Sequence, residues 1–222
     1  MTFTDESHGK NLVDENCVNV FVGDYFDPYC SWPYEMVRDN FLGIIEYKKE
    51  HPDNVVLLYG NHDYRYLPGI EERSSRKDYE NAQRITGVFV DAEPLFYGIA
   101  YPIGDKHIVT HAGITRYWKK YLPDVKDVSP ANMAKAINEL WQINKRAFSF
   151  KANATYNDCD GQSPEQSPIW IRPVSLEMYN LYDGTDIIQI VGHTQFKDIF
   201  ETKGFVFVDC LGSVENSWKI AI

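Results

Sequence analysis

Cysteine is scarce in this 222-residue sequence, and Cys17, Cys30, Cys159 and Cys210 form no CxxC pair. That spacing excludes a zinc knuckle or a dithiol redox motif and leaves reduced thiols as the expected state. Long apolar runs are missing too. No stretch approaches the roughly eighteen residues of a membrane span, and residues 1–10 lack the apolar core of a signal peptide. The expectation is a cytoplasmic protein with no membrane partner. Basic charge is in short supply, with 22 Lys and Arg against 32 Asp and Glu and a net charge of −10. This disfavours a nucleic-acid partner, because such binding depends on neutralising many phosphates. There is no internal repeat, no low-complexity tract and no linker that would divide the chain.

What is present reads as a globular α/β protein. The 44% hydrophobic and 24% charged residues lie near globular averages, and 25.7 kDa suits a single domain spanning residues 1–222. Short β-rich runs at 18–22, 54–59, 107–110 and 187–191 each end in polar residues or in Gly followed by a polar residue, and 205–208 and 218–222 read as further strands around turn material at Gly212 and Asn216. Apolar residues at three- and four-residue steps predict helices over 33–50 and 130–148. Residues 149–167, rich in Asn, Asp, Ser and Gln, predict an irregular loop, and about 115–186 reads as an insertion between core strands. Strands alternating with helices place ligands at the carboxyl ends of strands.

Four of those strand ends carry Asp24, Asn61 with His62, His111, and His193. All are residue types that hold hard or borderline divalent metals, and rigid strand ends suit a site assembled from several places in the chain. A single His after a strand is a weak signal. The string Gly60-Asn61-His62-Asp63 is stronger, since average residue usage would produce it by chance about once in a thousand chains of this length. It stands in order with Gly23-Asp24-x-x-Asp27 before it and His111-Ala112-Gly113 and Gly192-His193 after it.

This series resembles the calcineurin-like metallophosphoesterase family, over Gly23 to about Gly212. The resemblance implies an α/β/β/α sandwich of two mixed sheets with a helical insertion. It also implies hydrolysis of a phosphate ester or anhydride, a phosphomonoester or nucleotide-type bond, by metal-activated hydroxide, on a small-molecule or protein substrate. Asp24 inherits the carboxylate that bridges two divalent metals (Mn, Fe or Zn), and Asn61, His111 and His193 complete the shell of one of them. One shared carboxylate brings two cations about 3.5–4 Å apart, and a water between them can have its pKa lowered to about 7. An acidic chain can host such chemistry because bound cations invert the local field. His62 matches the family's proton donor to the leaving oxygen, with Asp27 orienting it. Arg172 lies in a Trp-x-Arg-Pro segment like one in some bacterial relatives, where the arginine faces the substrate phosphate. The plainer alternatives are that Asp27 caps a turn, His62 is structural and Arg172 is a surface residue.

Three departures qualify the match. Pro28-Tyr29 stands where protein Ser/Thr phosphatases have Arg-Gly, and Gln195 stands where many phosphodiesterases of the family have a second His. Glu6-Ser7-His8-Gly9 is the nearest counterpart of the Asp-x-His-Gly that supplies the other metal, so His8, with Glu6 or Asp5, is its candidate ligand and that position is expected to be defective. The rival readings are a phosphodiesterase and a degenerate, non-catalytic binding module of the same fold. The substrate and the oligomeric state are not legible in the sequence.

Overall fold

A computed structural model describes residues 17–72, 76–151, 160–210 and 217–220. They belong to two compact units, Met1–Tyr97 and Gly98–Ile222. The mixed α/β class expected from the sequence is the one found, with a two-stranded sheet in the first unit and a five-stranded mixed sheet in the second.

In the first unit, β1 (Asn19–Phe21), α1 (Tyr34–Glu50) and β2 (Val55–Leu57) form a strand-helix-strand unit, followed by α2 (Asn61–Tyr64) and α3 (Ala82–Ala92). β1 and β2 are parallel, with Asn19 opposite Val55 and Phe21 opposite Leu57, which requires a crossover of the length that α1 supplies. Helix α1 forms because Val37, Phe41, Ile44 and Ile45 recur on one buried face. It stops at His51, ahead of Pro52, whose ring cannot continue a helix. The core is aromatic. Phe41 and Phe89 lie 5.3 Å apart, Phe26 reaches both, and Tyr59 stacks on Phe96 at 3.9 Å; offset and tilted pairs of this kind add to simple area burial.

The second unit is built on strands β3 (Ala100–Ile103), β4 (His107–Thr110), β5 (Ile188–Val191), β6 (Phe200–Thr202) and β7 (Phe205–Phe207), in spatial order β3-β4-β5-β7-β6. The central three are parallel and the two edges antiparallel. Between β4 and β5 run α4 (Pro130–Ile143) and α5 (Pro173–Met178). Ile108, Val109, Ile190 and Val191 are buried, as continuous apolar runs in a parallel core require. Ala112, Ile171, Leu176, Phe205 and Phe207 pack around Val191. Helix α4 covers edge strand β3, and Asn138 fixes that contact. Its Oδ1 accepts from the backbone of Ile99 and Ala100, at 2.8 and 3.1 Å, and its Nδ2 donates to the Ala100 carbonyl at 2.8 Å.

Two expected elements differ. The helix expected over 130–148 ends at Ile143, and Asn144, at φ −152° and ψ 75°, breaks it before a single tighter turn over Lys145–Phe148. Exposed Ile143 shows why: the apolar stripe leaves the buried face at that point. The strand expected at 218–222 is absent over 217–220, and residues 221–222 lie outside the described residues. Trp218 and Ile220 are half-buried while Ser217 and Lys219 are exposed. The alternation is therefore real but without a ladder. Trp218 instead donates from Nε1 to Glu201 at 2.8 Å. Of the expected loop at 149–167, residues 152–159 lie outside the described residues, and the rest carries no helix or strand.

Candidate active-site residues

In the first unit the carboxyl ends of β1 and β2 are pinched together. A Cβ on Gly23, at φ +98°, would lie 2.2 Å from the backbone nitrogen of Gly60, so Gly23 opens its motif because only bare backbone fits there. Asp63 ties the two loops. Its Oδ2 accepts from the backbone N–H groups of Gly60 and Asp24, and its Oδ1 from that of Tyr25, all at 2.8 Å. Burial and then the neighbouring Asp24 carboxylate push the Asp63 carboxyl up to about 7, against the lowering effect of those three donors. Asp24 in turn accepts at Oδ1 from the backbone of His62 at 2.9 Å. Asn61 is buried at the start of α2.

His62 and Asp27 form a buried pair, with Nδ1 3.0 Å from Oδ2. Asp27 also accepts from the Tyr66 hydroxyl at Oδ1, from Arg65 at 3.5 Å and from the Asp78 backbone at 3.4 Å. The turn-cap alternative for Asp27 therefore does not describe it: its carboxylate is the hub of a side-chain network. Burial lowers the Arg65 pKa, with Asp27 the main opposing influence. At the other side of the imidazole, Arg76 Nη2 lies 2.6 Å from Nε2, and its Nη1 donates to the Asp27 carbonyl at 3.1 Å. Arg65 Nη1 also lies 3.3 Å from Nδ1, so Nδ1 faces both the Asp27 carboxylate and a guanidinium, while Nε2 faces the Arg76 guanidinium alone.

In the second unit, His111 at the end of β4 and His193 just beyond β5 meet as neighbours, with Nε2 of the first 3.2 Å from Nδ1 of the second. His193 Nε2 is 3.2 Å from the Trp170 carbonyl, which fixes the tautomer and leaves Nδ1 as the lone-pair nitrogen. Metal-ligating histidines typically donate their remote N–H in this way. Two nitrogens about 3.2 Å apart can share one cation at the usual 2.0–2.1 Å. These donors therefore fit a divalent metal. Arg172 is no loose surface residue: it donates from Nε to the Asp160 carbonyl at 2.8 Å, and from Nη1 to Thr194 Oγ1 at 3.1 Å and to the His193 carbonyl at 3.4 Å.

Among the described residues, the non-glycine residues with left-handed backbone are Asp24 (φ 63°), Asp27 (φ 60°) and His193 (φ 63°). Such residues cost roughly 1–3 kcal/mol each and cluster at functional sites. Within the first unit Asp24, Asp27 and His62 are joined by hydrogen bonds, and within the second so are His111, His193 and Arg172. His8, with Glu6 and Asp5, lies outside the described residues. Asp63, Tyr66, Arg65 and Arg76 were not assigned from sequence. Asp63 carries a signal as the last member of Gly-Asn-His-Asp, whereas the others belong to no motif.

A family model for calcineurin-like phosphoesterases matches residues 6–197. The chain belongs to that family. Among solved structures, a cold-active protein-tyrosine phosphatase of a psychrophilic Shewanella species is similar at 18% identity and a TM-score of 0.52, covering 89% of this chain and 61% of that one. Another structure of a cold-active protein tyrosine phosphatase is similar at 17% identity and a TM-score of 0.50, covering 89% and 60%. The chain thus spans about three fifths of the length of these structures, and the likeness is one of fold. A comparison with curated proteins finds no match. No helix among the described residues is long and apolar enough to cross a membrane.

Proposed function

We propose that this protein hydrolyses a phosphate ester or anhydride, with a phosphomonoester or nucleotide-type phosphate as substrate, in a metal-dependent reaction. Family membership supports the phosphoesterase class. The observation that carries the catalytic reading is the buried His62–Asp27 pair, an imidazole oriented by a carboxylate that three further donors hold in place.

The motif series supports Asp24, Asn61, His111 and His193 as the groups that would hold one divalent cation. Asp24 would be shared with a second, more weakly held cation for which His8 with Glu6 or Asp5 are the candidate ligands. Mixed N/O donors suit Mn, Fe or Zn. Such a centre, when bound, supplies Lewis acidity and a water of lowered pKa at neutral pH. In the hydrolysis the water oxygen forms a new bond to phosphorus and the bond to the leaving oxygen breaks. His62, as the imidazolium in the reacting complex with Nδ1–H kept on Asp27, gives its Nε2 proton to that oxygen. Asp27 holds the ring, and general acid catalysis of this kind contributes about 10²–10⁴ in rate. Arg172, tied to the loop of His193, is the proposed contact to the phosphate.

The test is turnover of an aryl phosphomonoester, a bis-aryl phosphodiester and a dinucleotide by the purified chain, with added Mn²⁺ and after chelation. Monoester or nucleotide turnover that chelation abolishes and Mn²⁺ restores is expected. Diester turnover alone, or turnover indifferent to chelation, would overturn the proposal.

A further inference from the structure

We propose that Arg76 binds the non-bridging oxygens of the substrate's phosphoryl group, an assignment that rests on the hydrolase reading above. Arg76 belongs to none of the motifs, yet its guanidinium is held at the one face of His62 that Asp27 does not occupy. Nη2 is 2.6 Å from His62 Nε2 and Nη1 is 3.1 Å from the Asp27 carbonyl. The guanidinium carbon lies over the Tyr29 ring, 4.0 Å from its centroid, and Tyr29 is well exposed at 68% while Arg76 is half-buried. The group is thus ordered by two hydrogen bonds and an aromatic shelf but remains at the water-accessible edge of the pair.

The other cations of this region are differently employed. Arg65 is buried at 3% exposure, lodged on Asp27 and against the Nδ1 side of His62 at 3.3 Å, away from Nε2, and Lys77 donates to the Arg65 carbonyl at 2.7 Å while lying against the Tyr66 ring. A planar fork of donors matches two oxygens of a phosphoryl group bidentately, which an ammonium cannot do. The reacting geometry asks for a cation here. His62 Nε2 must approach the leaving oxygen, and that oxygen is bonded to the phosphorus whose other oxygens carry the charge. A guanidinium one hydrogen bond away from Nε2 reaches those oxygens by exchanging its contact with the imidazole for one with the anion. In a chain of net charge −10, such a local donor offsets the repulsion an anionic ligand meets. Tyr29, the residue after Pro28, then acts as a shelf that pre-orders Arg76 rather than as a ligand.

The experiment uses the full chain with aryl phosphomonoester turnover and, separately, inorganic phosphate binding by calorimetry, in wild type, Arg76→Ala, Arg76→Lys and Tyr29→Leu, each checked for an unchanged melting transition. For Arg76→Ala, KM and the phosphate Kd should both rise about 10- to 100-fold, the range for charge-assisted hydrogen bonds. Arg76→Lys should recover only part of the loss, and Tyr29→Leu should weaken phosphate binding by a few-fold. If Arg76→Ala lowers kcat while KM and phosphate Kd stay at wild-type values, Arg76 merely positions His62 and the assignment is wrong, although the hydrolase reading survives. A melting transition lowered in Arg76→Ala but not in Arg76→Lys, with phosphate Kd unchanged in the latter, would equally overturn it. Wild type that neither turns over a monoester nor binds phosphate would sink the hydrolase reading and this inference together.

Discussion

Asp27 and His193 both sit in left-handed backbone, but the two units hold them there by different means. In the first unit the strands are three residues long and α2 is a single turn, too little regular structure to position a site. Side chains do that work instead. Asp63 gathers the backbone of Gly60, Asp24 and Tyr25, and Asp27 gathers His62, Tyr66, Arg65 and the Asp78 backbone. In the second unit His111 and His193 follow adjacent parallel strands of a five-stranded sheet, and the pairing of Val109 with Ile190 and Thr110 with Val191 brings the two rings side by side. Few polar groups are needed beyond Trp170 and Arg172. Where the strands lie inside a five-stranded sheet the backbone ladder places a site, and where only two short strands pair a buried polar network replaces it, at the risk that losing one member leaves several groups unsatisfied.

The largest effect expected from this contrast is at Asp63. Replacing Asp63 with Ala strands three N–H donors, and urea unfolding should show a loss of about 3 kcal/mol or more. A loss below about 1 kcal/mol would mean that the first unit does not depend on its network. Gly23→Ala should come next, at about 3 kcal/mol, because the new Cβ meets the backbone of Gly60 at a positive φ and neither chain can yield. Gly113→Ala is the matching change in the second unit, also at positive φ, but there the new Cβ meets the side chain of Leu176, which can move. Its cost should be smaller, about 1–2 kcal/mol. The same urea series checks the order of these two, and a Gly113 change costlier than the Gly23 change would reverse the comparison.

Much of the second unit's arrangement was legible beforehand. The strand read at 107–110 is β4 itself, that read at 187–191 becomes Ile188–Val191, and each delivers its histidine where a parallel strand ends. Edge strand Phe200–Thr202 was not, because a pleated edge exposed on both sides, as Phe200 and Glu201 are, has no hydrophobic alternation to read. Helix Ala82–Ala92 was also missed, although Ile85, Phe89 and Ala92 are buried on one face of it. In the first unit the motif residues stood out while their supports did not. Tyr66 and Arg65 reach Asp27 only when the loops after β1 and β2 come together, and Arg76 reaches Asp27 and His62 only once the later chain has folded back, contacts that no local pattern records. Asp63 was in plain view within Gly-Asn-His-Asp, but its use as an acceptor for three backbone groups depends on the close approach of Gly23 and Gly60, which is a tertiary fact.

The different roles proposed for His62 and His193 are most directly tested by measuring metal content and kcat in the same preparations of wild type, His62→Ala and His193→Ala. With His62 as proton donor and His193 as ligand, His62→Ala should retain the wild-type metal per chain while kcat falls about 10²–10⁴-fold, the share of a general acid. His193→Ala should lose metal and activity together, with added Mn²⁺ recovering part of both. Equal metal loss in the two variants, or a His62→Ala protein of undiminished kcat, would contradict these roles.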